Sequence, residues 1–448
     1  MRLAELARLH QVPGAALAVL VDDEIHECAI GLANKRTAVE ATPDTLFQIG
    51  SVTKPWTASL LLTLVDDGRL DLDDHVAHIL PSFETPDPAT TNGLTVRHLL
   101  NHTSGLPGDH FPDTGRGDDC LQRYADLLRG GELAHPLGAM YSYSNAAFAV
   151  AGLIVQTVLG KTWESALRER IIEPLGLQHT VTLPEEALLH RAAVGHVGSG
   201  DEQHVTPVWG LPRFCGPSGL IVAQARDVVS FARMHLSGGF AQDGARVLSE
   251  ASVDAMRTPT VRVPGTSHSV GLGWGLQEWD GDQVLAHDGG TIGQAAALRI
   301  LVEQRVAIAL LTNGGDWLAF REAALGEIAL EVAGVVVPSM PVPPEHGAAH
   351  APSDYTGHFR RAGVDVHIAD RDGQLWASHA FTEEFAALAG PRRPPVPLRS
   401  GEPDVFYAKP GAGPWTRLTF MRDAAGCVSY LHSGNRVARR VSEADSSS

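Results

Sequence analysis

Three short segments hold side chains that could carry acyl transfer. Ser51 and Lys54 stand three residues apart in Gly50-Ser51-Val52-Thr53-Lys54, just ahead of an apolar run from Trp56 to Val65 that stops at Gly68. Residues three apart on a helix share a face, so the amine can reach the hydroxyl. Burial would push this ammonium toward the neutral form that accepts a proton, and an adjacent base is what turns a serine into a nucleophile. By themselves the same residues also suit a capping serine followed by a surface lysine.

The second segment, Tyr143-Ser144-Asn145, follows a turn at Pro136 and Gly138 and precedes an apolar helical stretch, Ala146 to Leu159, that ends at Gly160. A phenol beside a lysine can shuttle protons, so Tyr143 would relay the serine proton to the leaving group. The Asn145 amide would hold Lys54 and the substrate's own amide. Taken singly, the triplet fits a half-buried tyrosine and a helix cap. The third segment is His287-Asp288-Gly289-Gly290, which reads as a loop leading into strand-like Ala295 to Val302. Its small residues, Gly289 among them, would let a substrate backbone lie close. The Gly290 and Ser51 amides would make two donors for a tetrahedral oxyanion, each worth roughly 2.7 to 4 kcal/mol in comparable sites. His287 would add a polar group near the substrate or Tyr143.

These groups need a scaffold that joins distant parts of the chain. Ala15 to Val21 reads as a strand, Asp22-Asp23 as a turn into a second strand, and Leu298 to Thr312 as a late hairpin followed by a helix over Phe320 to Val332. Helices dominate between them, which predicts an antiparallel sheet built from both ends of residues 1–337. Pro338-Ser339-Met340-Pro341-Val342-Pro343-Pro344 opens a linker over 338–352. Residues 353–448 alternate apolar and polar positions at Val364, Val366 and Ile368, turn at Asp372-Gly373, and repeat the pattern at Leu418, Phe420, Val428 and Tyr430, which predicts a small all-β domain.

Length and composition agree with two domains: 448 residues exceed what one core usually supports, and 44% hydrophobic with 19% charged residues is ordinary for a globular chain. A formal net charge of -17 argues against nucleic acid and membrane partners. Arg2, Glu5 and Arg8 interrupt the apolar residues at the start, so no export signal is read there. No stretch approaches the roughly 20 apolar residues of a membrane helix. Four scattered cysteines fit free thiols, and the expected location is the cytoplasm. His98/His102 and His75/His78 have metal-ligand spacing, but no HExxH accompanies them and no metal is expected. Neither GxSxG nor GxxxxGK[ST] occurs, which speaks against an α/β-hydrolase and a P-loop, and no organic cofactor is expected.

In this order, SVTK, YSN and HDG resemble the serine β-lactamase and penicillin-binding-protein family in its class C and D-aminopeptidase-like branch. Thr95 to Leu106, Glu173-Pro174-Leu175-Gly176-Leu177 and Gly271-Leu272-Gly273-Trp274-Gly275 are similar to strings of that family. The resemblance implies its α/β sandwich, an antiparallel sheet flanked by a helical subdomain, and a catalytic set of Ser51, Lys54, Tyr143, Asn145, His287 and the Gly290 amide. The tail, opening at Asp354-Tyr355-Thr356-Gly357, looks like the lipocalin-like barrel of some members.

One departure narrows the reading. The family usually carries Lys-Thr-Gly where this chain has His287-Asp288-Gly289, and that lysine helps hold the β-lactam carboxylate, so antibiotic hydrolysis is disfavoured. The chain is compatible with stand-alone penicillin-binding-protein-type thioesterases, which take a peptide from a carrier-protein thioester and cyclise it. The resemblance therefore implies a small-molecule or peptidyl substrate that a carrier protein could deliver. A D-aminopeptidase, amidase or esterase stands beside that reading, and a catalytically dead receptor is the reading from outside enzymology. Arg436, Arg439 and Arg440 form a basic cluster in an acidic chain; one of them could reach the cleft to hold a substrate carboxylate or backbone.

Overall fold

The computed structural model describes residues 2–382, 394–411 and 413–442. Its main sheet draws β1 (Gly14–Val21), β2 (Glu24–Asn34) and β3 (Val39–Glu40) from one end of the larger body. From the other end come β4 (Val261–Arg262), β5 (Ser269–Val270), β6 (Gly275–Trp279), β7 (Asp282–Gly290), β8 (Ala295–Leu301) and β9 (Val306–Thr312). The spatial order is β3-β2-β1-β9-β8-β7-β6-β5-β4. Asp22 and Asp23 take left-handed φ values of 52° and 62°, the two-residue hairpin geometry that sets the β1–β2 register at Val21↔Glu24. The two ends of the body then meet where β1 runs antiparallel to β9, from Ala15↔Thr312 to Leu20↔Ala307.

Five helices matter to the site: α1 (Leu3–Leu9), α2 (Thr53–Asp66), α3 (Asn145–Leu159), α4 (Ala225–Leu236) and α5 (Trp317–Ala333). Strand β1 is apolar on both faces because both are covered. Ala15, Leu17 and Val19 pack with α1 and α5, whereas Ala16, Ala18 and Leu20 join the large core that contains α2, α3 and α4. Helix α2 lies at the centre of that core and is buried from Thr53 to Leu64. Such a helix must be apolar nearly all round, and its polar exceptions are bonded: Thr57 donates to the Pro217 carbonyl at 2.7 Å and Thr63 to the Leu60 carbonyl at 2.7 Å.

One expectation is corrected. His287-Asp288-Gly289-Gly290 is not a loop but the last four residues of β7, in register with β8 from His287↔Leu298 to Gly290↔Ala295. Pairing with a neighbouring strand overrides the weak strand preference of Asp and Gly.

Residues 334–351 carry neither helix nor strand. Beyond them, β10 (Gly357–Arg361), β11 (Val364–Arg371), β12 (Gln374–Phe381), β13 (Val396–Ser400), β14 (Val405–Ala408), β15 (Thr416–Arg422), β16 (Val428–Ser433) and β17 (Arg436–Val441) form a closed barrel. It closes where β10 pairs β17 from His358↔Val441 to Arg360↔Arg439. In a barrel of eight strands side chains can fill the interior, and here Phe359, Ile368, Leu375, Phe406 and Phe420 do so. Phe359 is completely buried, so Phe359→Ala should lower barrel stability by about 3 to 5 kcal/mol. The check is the denaturant midpoint of the barrel's unfolding transition, followed by tryptophan fluorescence.

Candidate active site

The chain enters α2 through a tight 3-10 turn, Gly50–Val52, which presents Ser51 to a cleft of about 480 Å³. One turn later Lys54 is fully buried. Its Nζ lies 3.1 Å from Ser51 Oγ and donates to Asn145 Oδ1 at 2.7 Å and to the Ser218 carbonyl at 2.7 Å. Burial, and next the nearby Arg436 guanidinium, hold its pKa well below that of an ordinary lysine. A neutral amine has two N–H groups and one lone pair. The two carbonyl oxygens can only accept, so they take both N–H groups and leave the lone pair facing the Ser51 hydroxyl.

Tyr143 and Asn145 come from the start of α3. Ser144 caps the helix, its Oγ accepting from the Ala147 amide at 3.0 Å, and this turns its two neighbours toward Lys54. Tyr143 lines the same cleft as Ser51, and its ring lies 4.7 Å from Lys54 Nζ. Burial raises the phenol's pKa, so it stays protonated at ordinary pH. Asn145 cannot flip, because its Nδ2 donates to the Gly108 carbonyl at 2.8 Å.

The end of β7 closes the other side. A Cβ at Gly289 would stand 1.9 Å from the Ile49 carbonyl oxygen and 2.8 Å from the Ser51 amide nitrogen. Likewise a Cβ at Gly50, whose φ is 51°, would meet the Gly290 amide nitrogen at 2.5 Å. Glycine on both sides is therefore what lets the Gly290 and Ser51 backbones approach each other. His287 lines the cleft with its ring centroid 6.2 Å from that of Tyr143. Its Nδ1 lies 2.8 Å from the Asp288 carbonyl oxygen, which fits an Nδ1–H donor and leaves Nε2 as an acceptor. Burial, the largest cause, brings its pKa down to about 3, so the imidazole is neutral. Asp288 pairs with Arg299 at 2.7 Å and with Arg321, and these two guanidinium groups hold its carboxyl below the usual range despite burial.

All six candidate catalytic residues thus meet at one cleft, with Gly289 beside them. The three arginines separate. Arg436 reaches the cleft, its guanidinium centre 4.9 Å from the Tyr143 ring centroid. Arg439 is exposed on the barrel, and Arg440 is spent on the carbonyls of Asp354, at 3.2 Å, Val428, at 3.1 Å, and Thr356. Four participants escaped the sequence reading: Ser218, His102, Asp109 and Arg299. Buried His102 accepts from the Ser144 amide at 3.0 Å and stacks on Tyr143 with centroids 4.5 Å apart, so it supports the phenol. The helix containing His98 ends at Leu100, which takes His102 off the face that metal-ligand spacing assumed.

A family model described as Beta-lactamase matches residues 2–333. "Penicillin-binding protein 4" of Amycolatopsis lactamdurans is 43% identical over 368 residues, which are 81% of this chain and 97% of that protein. Among solved structures, SurE with D-Leu is 29% identical with a TM-score of 0.79, covering 98% of this chain and 97% of its own. The D-amino acid amidase of Ochrobactrum anthropi SV3, complexed with D-phenylalanine, is 26% identical with a TM-score of 0.59, covering 70% of this chain and 91% of its own.

Proposed function

The chain belongs to the β-lactamase family of serine hydrolases and acyltransferases, and from that premise we propose that it loads a peptide, through a D-residue carbonyl, onto Ser51 and passes it to water or to an amine. The observation that carries this reading is the hydrogen-bond count at Lys54, whose lone pair is left for Ser51. Ser51 Oγ attacks the carbonyl carbon as its proton passes to Lys54. The Ser51 and Gly290 amides receive the oxyanion, and Tyr143 gives its proton to the departing amine, alcohol or thiol while Lys54 passes the serine proton on to the phenol, which restores both groups. The second nucleophile then attacks the acyl-enzyme by the reverse path. Hydrolysis and cyclisation share this intermediate and differ only in which nucleophile arrives.

For the substrate, the neutral His287 argues against a β-lactam as the main target, since it offers no positive charge to a carboxylate. D-Leu in a SurE structure and the name of the D-amino acid amidase support a D-residue at the scissile carbonyl. Within that class we favour a peptidyl ester or thioester, including one delivered by a carrier protein and closed into a ring by its own amine. The amidase supports a second reading, hydrolysis of a D-residue amide. A peptidyl thioester, a D-residue amide and a simple ester should be offered in parallel and the products identified by mass spectrometry. Cyclic product selects the first reading and free D-amino acid the second. Turnover of the simple ester alone rejects both.

A further inference from the structure

The barrel does not merely accompany the catalytic body. Its β16–β17 hairpin turns through Gly434 and Asn435, both in the left-handed region with φ of 58° and 65°, and the tip of that turn enters the cleft. The Tyr143 amide donates to the Asn435 carbonyl at 2.8 Å, and the Val437 amide donates to Ser142 Oγ at 3.2 Å. The backbone of Tyr143 and the side chain of the residue before it are therefore bonded to the barrel.

Asp109 holds this arrangement from below. Its side chain is only 6% exposed, and a buried carboxylate is costly unless it is paired. Arg436 meets it with Nε at 2.6 Å and Nη2 at 2.7 Å, and Arg361 of the neighbouring strand β10 adds Nη1. The remaining Arg436 nitrogen, Nη1, donates to the Gly434 carbonyl at 3.0 Å, which stiffens the turn itself. The residue before Asp109 ties the clamp to the catalytic groups. The Gly108 carbonyl accepts from Asn145 Nδ2 at 2.8 Å, and a Cβ at Gly108 would stand 2.7 Å from the Tyr143 carbonyl oxygen and 3.2 Å from Arg436 Cγ.

We propose that Asp109 is a positioning residue: by clamping Arg361 and Arg436 it holds the Gly434-Asn435 turn of the barrel against Tyr143, so that the barrel completes the catalytic site. The proposal rests on acylation of Ser51 as described above.

The sign of a pH shift separates this from a purely electrostatic role. Lys54 is faced by Ser51, Tyr143, His102, His287, Cys215 and Arg436, with Asp109 beyond. Arg436 lowers the lysine's pKa and Asp109 raises it. If Asp109 acts only as a charge, Asp109→Asn leaves Arg436 in place, and the acid limb of the reaction moves to lower pH. If Asp109 holds Arg436, the guanidinium leaves with the turn, Lys54 becomes more basic, and the acid limb moves to higher pH.

The test uses the full chain and measures, against pH, the second-order rate constant for labelling of Ser51 by a fluorophosphonate. Asp109→Asn should slow labelling by up to about a hundredfold at neutral pH, move the acid limb upward, and speed hydrogen exchange at the Tyr143 amide. An acid limb that moves downward or stays in place overturns the proposal. Should Asp109→Asn fail to fold, Arg436→Lys decides: it keeps the positive charge but loses the fork that joins Asp109 to the Gly434 carbonyl, so labelling must slow and hydrogen exchange at the Tyr143 amide must speed, and wild-type exchange overturns the proposal. Wild-type protein that resists labelling, or Ser51→Ala that accepts it, is a different failure: it removes the acyl-enzyme reading and this proposal with it.

Discussion

Lys54→Ala is expected to slow acylation of Ser51 by about ten-thousandfold, with Ser51→Ala as the blank that takes no label at all. The size of the effect follows from the geometry. Nothing else among the described residues offers Ser51 a lone pair on a buried amine, and the phenol of Tyr143 is held protonated by its surroundings. The substitution also strips the donor from Asn145 Oδ1 and the Ser218 carbonyl, at a cost of about 1 to 3 kcal/mol for each buried acceptor. Thermal unfolding therefore has to accompany the kinetics, so that loss of rate is read on folded protein. In the wild type the amine is active when neutral. The rate should accordingly fall as pH drops through the lysine's lowered pKa, and this limb should vanish in Lys54→Ala. Retention of a tenth of the wild-type rate by the variant would remove Lys54 from the role of base.

Gly289→Ala carries the second large effect. A methyl there meets the Ile49 carbonyl oxygen at 1.9 Å, and no side-chain rotation relieves a clash between two backbones. Strand β7 must move away from Gly50 and Ser51, and the two amides proposed to hold the oxyanion move apart. The expected loss is about 10² to 10³ in kcat, the scale of removing one oxyanion donor. Gly290→Ala is the informative contrast, because its Cβ meets nothing within 4 Å and the substitution keeps the amide. Its loss should be far smaller. Equal losses in the two variants, measured with the same ester substrate, would dissociate the close approach at Gly289 from catalysis.

Much of this site could be read from the sequence because its chemistry is local in three places. The spacing of Ser51 and Lys54 is one helical turn, and the apolar run behind them announced the buried helix that makes the lysine unusual. Tyr143, Ser144 and Asn145 stand where a capping residue must orient its neighbours. Gly289 and Gly290 were placed near the substrate, but their position in a strand was missed, since glycine and aspartate give no strand signal and only the partner strand reveals it. The participants that stayed hidden act across long sequence distances. The Ser218 carbonyl has no side-chain signature at all. His102 was visible as a histidine, yet only packing tells that its ring lies under Tyr143. Asp109 is one acidic residue among 52 until two arginines more than 250 positions away close on it. The Gly434-Asn435 dipeptide is a hairpin signal that was available, although nothing local says where the tip of such a hairpin will land.

The solid interior of the barrel divides its labour sharply. Strands whose inward residues only fill space can drift among apolar types of equal volume without any consequence for chemistry. The two-residue tip between Ser433 and Arg436, in contrast, is bonded to the Tyr143 backbone and lines the cleft. A substitution in the barrel's interior thus answers to packing alone, whereas one at this turn also meets the cleft.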